Sequence, residues 1–283
     1  MSKIVVGIDG SESSTEALRW AWVEAGRRGC DLDVVHAWEY RFTSFLLPGA
    51  LPEEQMLDDG EALLAEALTQ LGDTGGVTVR THLVKGHIVE VLRDLSEGSD
   101  LLVVASRGRG GFTSLVLGSV SASIAGHALC PVAVVRRNHA IVQRIVVGVD
   151  GSPEAIQGLQ FALAEAAIDG SAVDVVMVVE PVVNTVGPYP GFIIPPPIEE
   201  LESDAERLVV EIVAGVTVPA NVTVRPVVRT GLAHRELVDE ATGASMLVVG
   251  TRGRGGSGLQ IGSVAAACLH HSEGTPIIVV PTT

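Results

Sequence analysis

The chain has 283 residues, a formal net charge of −15 and a pI near 4.9, and 47% of its residues are hydrophobic. The length suffices for two domains with apolar cores, and the acidity argues against non-specific binding to nucleic acid or to an anionic membrane surface. The opening sequence MSKIVVGIDG has the pattern of a strand and not of a secretory signal, and no apolar run is long enough to cross a bilayer. We therefore expect a cytoplasmic protein with no membrane partner and no nucleic-acid partner.

Short apolar, β-branched runs alternate with amphipathic segments through the first half of the chain. The runs predict strands over Ile4–Ile8, Leu32–Ala37, Val77–Val84, Leu101–Ala105 and Val132–Val135. The amphipathic segments predict helices over Ser13–Arg28, Glu53–Leu71, Ile88–Glu97 and Ser119–Ala128. Ser11 is the predicted N-cap of the first helix, because a serine hydroxyl accepts a hydrogen bond from a free first-turn amide.

The second half of the chain repeats the motifs of the first half in the same order. IVVGIDGS at 4–11 recurs as IVVGVDGS at 145–152. DLLVVASRGRGG at 100–111 recurs as SMLVVGTRGRGG at 245–256. A repeat of this length indicates the duplication of a whole domain, because solenoid repeats are much shorter.

The repeat sets the predicted domain boundaries. We predict a first domain over residues 1–137, a second domain over residues 144–283 and a linker over residues 138–143. Ser152 takes the place of Ser11 as an N-cap in the second domain, and Pro153 lies in the first helical turn, where its missing N–H has no cost.

Strands that are apolar along their whole length, each followed by a helix, are typical of a parallel sheet with helices on both faces. We therefore predict an α/β fold with one doubly wound parallel sheet in each half. Such sheets bind ligands beyond the carboxyl ends of their strands. The first strand of each half leads to Asp9 or Asp150, and the fourth leads to the loop SRGRGG or TRGRGG. These two segments should meet in one crevice per half.

The glycine-rich loop of each half leads to a Gly-Ser pair that begins a helix, Gly118-Ser119 in the first half and Gly262-Ser263 in the second. Glycine lets backbone amides approach an anion closely, and the free N–H groups of a helix N-terminus favour negative charge. The sequence therefore predicts a phosphate site in each half. A P-loop is excluded because the chain contains no Gly-Lys-Ser/Thr. The GxGxxG match at 253–258 follows a fourth strand, so we interpret it as chance.

These motifs resemble those of the universal stress protein family, whose ATP-binding members carry G-x2-G-x9-G-[S/T] after the fourth strand and an aspartate after the first. The segments VVASRGRGGFTSLVLGSVS and VVGTRGRGGSGLQIGSVAA occupy that place in the two halves. The resemblance spans nearly the whole chain as two fused copies. It implies two tandem five-stranded, Rossmann-like sheets of the adenine nucleotide alpha hydrolase-like type, with strand order 3-2-1-4-5.

The resemblance also implies which residues bind ATP, with Mg²⁺ expected beside the phosphates. Asp9 and Asp150 match an aspartate near the adenine, and Ala37 and Val178 match a position whose backbone reads the adenine edge. The positions that match phosphate and ribose contacts are Ala105, Gly108, Gly118, Ser119 and Ser121 in the first half, and Gly250, Gly253, Gly262 and Ser263 in the second. The ligands of the metal stay unknown, and we identify no catalytic residue.

Neither half fits the family pattern fully. Ala105 replaces the leading glycine, and its methyl group can crowd a ribose or a phosphate. The second half keeps Gly250 but has one residue fewer before Gly262, which can redirect the helix start. Ala265 lacks the hydroxyl group of Ser121. We nevertheless expect both sites to bind ATP.

The sequence offers no carboxylate pair and no nucleophile–base arrangement beside the glycine loop. We therefore expect a regulator or sensor whose ATP-bound state is read by a protein partner, in stress or slow growth as the resemblance implies. A slow ATPase or nucleotide hydrolase, and an adaptor with two empty sites, are the alternatives. The resemblance further implies that the final strands of the two halves pair within one chain as an intramolecular pseudo-dimer, and whole chains can also form a homodimer.

Cysteines and histidines carry weaker signals. Cys30, Cys130 and Cys268 lie far apart without a CxxC pattern, so we interpret them as buried free thiols. His270 and His271 are adjacent near the end of the last predicted helix. Adjacent helical residues face different ways, so we interpret this pair as complementing the helix dipole and not as a joint metal site.

The glycine loops also carry arginines, which either pair with phosphates or stay in solvent. They are Arg107, Arg109, Arg252 and Arg254. Two long loops, 39–54 and 180–200, follow second strands and lie near the predicted crevices. Loops of this length in compact domains are usually functional or disordered, and we expect them to act as lids or partner surfaces.

Overall fold

A computed structural model describes residues 2–39, 53–72, 75–108, 117–136, 143–181, 196–253, 261–272 and 274–281. The chain divides into two compact units. The first unit contains the chain up to His139 together with Glu273–Pro281, and the second contains Ala140–Ser272. The predicted features outside the described residues are Arg109, Arg254, most of the linker 138–143, and most of the loops 39–54 and 180–200.

The first unit is built from buried apolar strands and amphipathic helices. Its elements are β1 (Lys3–Gly7), α1 (Glu12–Arg28), β2 (Asp31–Trp38), α2 (Glu53–Leu71), β3 (Val79–Lys85), α3 (Ile88–Ser96), β4 (Leu101–Ala105), α4 (Ser119–His127), β5 (Val132–Val135) and β10 (Ile277–Val280). The consecutive β1 residues Ile4, Val5 and Val6 are all 0% exposed. Since successive side chains of a strand point to opposite faces, both faces of the sheet are covered.

The second unit has the same alternation. Its elements are β6 (Arg144–Gly148), α5 (Pro153–Asp169), β7 (Ala172–Val179), α6 (Ile198–Ala214), β8 (Val224–Thr230), α7 (Ala233–Glu240), β9 (Met246–Gly250) and α8 (Ser263–His271). Ile145, Val146 and Val147 of β6 are as deeply buried as their counterparts in β1. In the described part of the chain, no helix combines the length and the apolar character needed to span a membrane.

The strand order confirms the predicted doubly wound fold. In the first unit β3-β2-β1-β4-β5 are neighbours in that order and pair in parallel, as the order 3-2-1-4-5 requires. In the second unit the neighbouring strands β8-β7-β6-β9 correspond to positions 3-2-1-4 of that order, and they also pair in parallel.

The last strand of the chain lies beside the last strand of the first half, which is the pairing that the resemblance implied. β10 is grouped with the first unit and pairs antiparallel with β5, with Ile278 opposite Ala133. This pairing gives hydrogen-bond partners to backbone groups that β5 would otherwise present at a sheet edge. Ile277, Ile278 and Val279 are at most 1% exposed, so the strand also adds apolar burial.

Serine N-caps fix where the first helix of each unit begins, as predicted. The Ser11 hydroxyl accepts a hydrogen bond from Ser14 N at 3.1 Å, and the Ser152 hydroxyl accepts one from Ala155 N at 3.2 Å. Pro153 occupies the first turn of α5. The helices therefore start directly after the Asp-Gly-Ser turn that ends β1 and β6.

Replacing Ser152 with alanine is expected to lower the free energy of unfolding of the second unit by about 0.5–2 kcal/mol, because the first turn of α5 loses its cap. Urea denaturation followed by circular dichroism measures this change. The control is Ser203→Ala at an exposed position inside α6, where alanine does not lower the free energy of unfolding because it favours the helix. Equal stability of the two variants would contradict the capping role.

All three cysteines are buried free thiols, which confirms the interpretation from their spacing. Burial raises the pKa of Cys130 from 9.0 to about 12, and burial raises that of Cys268 to about 12 as well. A thiol in this state is a poor nucleophile, because the thiolate is the reactive form.

We expect the folded protein to react only slowly with a thiol reagent at pH 8, and all three thiols to react once urea unfolds the chain. Fast labelling of the native protein at pH 8 would contradict the burial of these thiols.

Because the folded-state pKa values of Cys130 and Cys268 lie above those of unfolded thiols, raising the pH above about 9 favours the unfolded state. Stability should therefore fall from pH 9 towards pH 12.

Candidate functional site

An aspartate lies at the carboxyl end of the first strand in each unit and is held by the turn that follows. Asp9 Oδ1 accepts a hydrogen bond from Ser11 N at 3.0 Å. Asp150 Oδ1 accepts from Ser152 N at 2.9 Å and from the Ser152 hydroxyl at 2.6 Å. The N-cap serine therefore both starts the helix and fixes the carboxylate at the strand end.

The glycine loop after the fourth strand packs directly on this carboxylate. A Cβ atom added to Gly108 would collide with Asp9 Oδ2, and one added to Gly253 would collide with Asp150 Oδ2. Glycine allows this close approach, whereas any other residue would require the carboxylate to move. The two motifs that the sequence placed at neighbouring strand ends thus meet in each unit, with a carboxylate oxygen against a glycine Cα.

In both units an equivalent backbone hydrogen bond joins the end of the glycine loop, just before the helix, to the residue that follows the fourth strand. Gly118 N donates to Ser106 O at 2.7 Å, and Gly262 N donates to Thr251 O at 2.6 Å. The shorter second spacer therefore leaves the closure at Gly262 unchanged, contrary to the redirection that the spacing suggested. It also follows that the Gly118 and Gly262 amides are used within the loop.

The amides that remain for an anion are those of the first helical turn. The first intrahelical bond of α4 is from Ala122 N to Gly118 O, and that of α8 is from Ala266 N to Gly262 O. The preceding amides, 119–121 in α4 and 263–265 in α8, precede the hydrogen-bond ladder of their helices. The helix dipole adds to their attraction for negative charge.

A cavity of about 430 Å³ lies beside these groups in the first unit. This volume falls in the range of small-molecule sites. The predicted site residues that line it are Asp9, Ala105, Gly108, Gly118, Ser119 and Ser121. Ala37 lies in β2 opposite Val84 and is not among the lining residues.

A cavity of about 350 Å³ lies at the equivalent place in the second unit. The predicted site residues that line it are Asp150, Val178, Gly250, Gly253, Gly262 and Ser263. Val178 takes the register position of Ala37 and, unlike Ala37, reaches the cavity. Arg107 and Arg252 are exposed residues at the first and second cavity, respectively.

The Ser121 hydroxyl has a role inside the loop. It donates towards Gly118 O at 3.0 Å and Ser106 O at 3.2 Å, and the residue is 2% exposed. This hydroxyl therefore ties the start of α4 to the end of β4. Ala265 is buried at the equivalent position of α8 without such a tie.

The leading position of the glycine motif is explained by helix packing. A Cβ atom at Gly250 would lie 2.9 Å from both the carbonyl carbon and the Cβ of Glu154, in the first turn of α5. Glycine at this position lets α5 approach β9. At Gly250 an added Cβ atom would therefore meet a helix, whereas Ala105 lines the first cavity, and crowding of a ribose or a phosphate by its methyl group stays a prediction.

The sequence did not reveal the apolar wall of each cavity. Ile88 and Leu92 of α3 line the first cavity, and Ala233 and Leu237 of α7 line the second. The sequence signal for this wall was Gly-His-Ile after β3 and Gly-Leu-Ala after β8. Each of these segments leads into a wall helix, α3 or α7, at the edge of the sheet where the cavity lies. In the second unit Glu180 Oε1 accepts from Ala233 N at 2.8 Å and caps α7.

Together these features form a slot with an apolar wall, a fixed carboxylate and a row of helix N-terminal amides. Such a slot suits a ligand with a flat apolar part and an anionic part. Within the described ranges, no group of three or more histidine, cysteine, aspartate or glutamate side chains is arranged to hold a metal ion.

Comparisons with known proteins agree with the duplicated architecture. The model of the universal stress protein family matches residues 1–136 and again residues 142–281. Universal stress protein Rv2623 of Mycobacterium tuberculosis is 33% identical, over 98% of this chain and 95% of its own. Universal stress protein Rv2005c of the same species is 31% identical, over 98% and 96%. The crystal structure of a universal stress protein from Archaeoglobus fulgidus aligns with a TM-score of 0.72 at 20% identity, over 99% of this chain and 96% of its own.

Proposed function

Because the chain belongs to the universal stress protein family, we propose that it binds ATP in both cavities and acts as a nucleotide-dependent regulator or sensor in the stress response. The observation that supports this most strongly is the pairing of a fixed carboxylate with a helix N-terminus across one glycine loop, present in both units. Two copies of the same arrangement argue against a chance cluster.

ATP fits the chemistry of this slot. The adenine would lie against the apolar wall near Asp9 or Asp150, where a carboxylate accepts hydrogen bonds from a base or a ribose. The triphosphate would lie on the first-turn amides of α4 or α8. The exposed hydroxyls of Ser119 and Ser263 would face the phosphates and a phosphate-bound Mg²⁺.

The binding state would be communicated through the walls of the cavities. α3 and α7 contribute apolar wall residues and follow β3 and β8, which pair with β2 and β7, the strands that lead into the long loops. A ligand that draws these helices inward biases the surface that a protein partner meets. The pairing of β5 with β10 supports the further proposal of an intramolecular pseudo-dimer in the cytoplasm, with homodimers of whole chains as the larger assembly.

A thermal-shift titration with ATP and Mg²⁺ tests the binding. ATP in hundredfold excess over its Kd is expected to stabilise the native state by about 2.7 kcal/mol per site. An assay for released ADP in the same samples separates a regulator, which keeps its ATP, from a slow ATPase. The absence of any shift at millimolar ATP would favour the adaptor without nucleotide and would overturn the proposal.

A further inference from the structure

Two histidines from different helices of the second unit lie side by side. His234 is in the first turn of α7, and His271 is the last residue of α8. Their ring centroids are 5.2 Å apart, and the ring planes are inclined by 30°. The adjacent His270 shares the helix of His271 but has a different direction, as the sequence indicated.

The separation of the two rings matches that of two ligands on one metal ion. With a Zn–N distance of about 2.0 Å and a tetrahedral angle at the metal, two imidazole ligands of one Zn²⁺ have ring centroids about 5 Å apart. The His234 ring is half-buried and the His271 ring is exposed. An ion can therefore enter from solvent, and water can fill the remaining coordination positions.

The electrostatic surroundings also suit a cation. His271 lies in the last turn of α8, where the carbonyl end of the helix dipole favours positive charge. His234 lies near the N-terminus of α7, which disfavours a cation, but the Glu180 carboxylate caps that terminus through Ala233 N at 2.8 Å and offsets its positive end. Imidazole ligands select Zn²⁺, Cu²⁺ and Ni²⁺ over Mg²⁺ and Ca²⁺.

The first unit provides an internal comparison. His127 occupies the position of His271, but Val89 occupies the position of His234. His127 Nδ1 contacts Ser123 O of its own helix at 2.6 Å. The histidine pair is therefore a feature of the second unit and does not follow from the duplicated fold.

We propose that His234 and His271 together bind one divalent transition-metal ion of the Zn²⁺ type at the surface of the second unit, with water as the remaining ligands. The site is separate from the phosphate-binding end of the second cavity and does not require a nucleotide.

Equilibrium dialysis of the full chain against zinc chloride, without nucleotide and with excess Mg²⁺, tests this inference. The wild-type chain is expected to bind one Zn²⁺ at this site saturably, and His234→Gln and His271→Gln are each expected to weaken that binding at least about tenfold. Circular dichroism verifies that each variant is folded.

Two controls address binding by other histidines. His270→Gln changes an exposed neighbour of the pair, and His82→Gln changes a half-exposed histidine of the first unit. Neither is expected to alter Zn²⁺ affinity. The inference is overturned if the wild-type chain binds no Zn²⁺, if the His234 and His271 variants retain full affinity, or if His270→Gln weakens binding as much as His271→Gln does.

Discussion

ATP affinity at the second cavity is expected to fall about tenfold to a hundredfold when Gly253 is replaced by alanine. The new methyl group would collide with Asp150 Oδ2. That carboxylate accepts hydrogen bonds from Ser152, so displacing it would weaken the bonds that order the turn before α5. Gly108→Ala is expected to have the same effect at the first cavity through Asp9.

Isothermal titration of each variant with ATP and Mg²⁺ measures this effect. Gly26→Ala is the matched control, because its new methyl group would meet Val77 at an ordinary 3.6 Å and lies far along α1 from the turn. The control should keep wild-type affinity. If the Gly253 and Gly108 variants also keep it, the close approach of glycine to aspartate is not needed for binding.

Replacing Gly250 with alanine is expected to lower the free energy of unfolding by about 1–3 kcal/mol. The new methyl group would lie 2.9 Å from a backbone carbon of Glu154, and a backbone atom cannot rotate away as a side chain can. The first turn of α5 must therefore shift away from β9. Since that turn carries the cap next to Asp150, nucleotide affinity at the second cavity should fall as well.

The reverse exchange, Ala105→Gly, is the matched comparison in the first unit. It removes a methyl group that this unit already accommodates, so we expect a cost of only about 0.5–1 kcal/mol from the added freedom of the unfolded chain. Urea denaturation of both variants measures the difference. A Gly250→Ala variant as stable as the wild type would show that α5 does not need this glycine.

The positions of helices and strands could be predicted from the sequence because its periodic patterns are strong. The predicted bounds of α2, β4 and β5 agree with the structure, and those of the other elements in the first half differ by one or two residues. Helix and strand ends are the least determined parts of any pattern. The N-caps were the exception, because serine at that position has one clear chemical role.

The internal contacts of the site could not be predicted, because they join residues far apart in the chain. Nothing in the sequence indicates that Gly108 packs on Asp9, or that the Ser121 hydroxyl donates to Ser106 O. The clash that a methyl group at Gly250 would make with Glu154 was not visible in the sequence either, because the direction of a Cβ atom requires coordinates. The partner of His271 likewise lies on another helix.

Equilibrium dialysis with labelled ATP and Mg²⁺ tests the central claim most directly, because it counts occupied sites per chain. We predict two ATP molecules per wild-type chain, one for each cavity. With ATP near the wild-type Kd, where each wild-type site is half occupied, Gly108→Ala and Gly253→Ala should each reduce the total bound ATP by nearly half, and the double variant should bind almost none. A folded wild-type chain that binds no ATP at millimolar concentration would contradict the account.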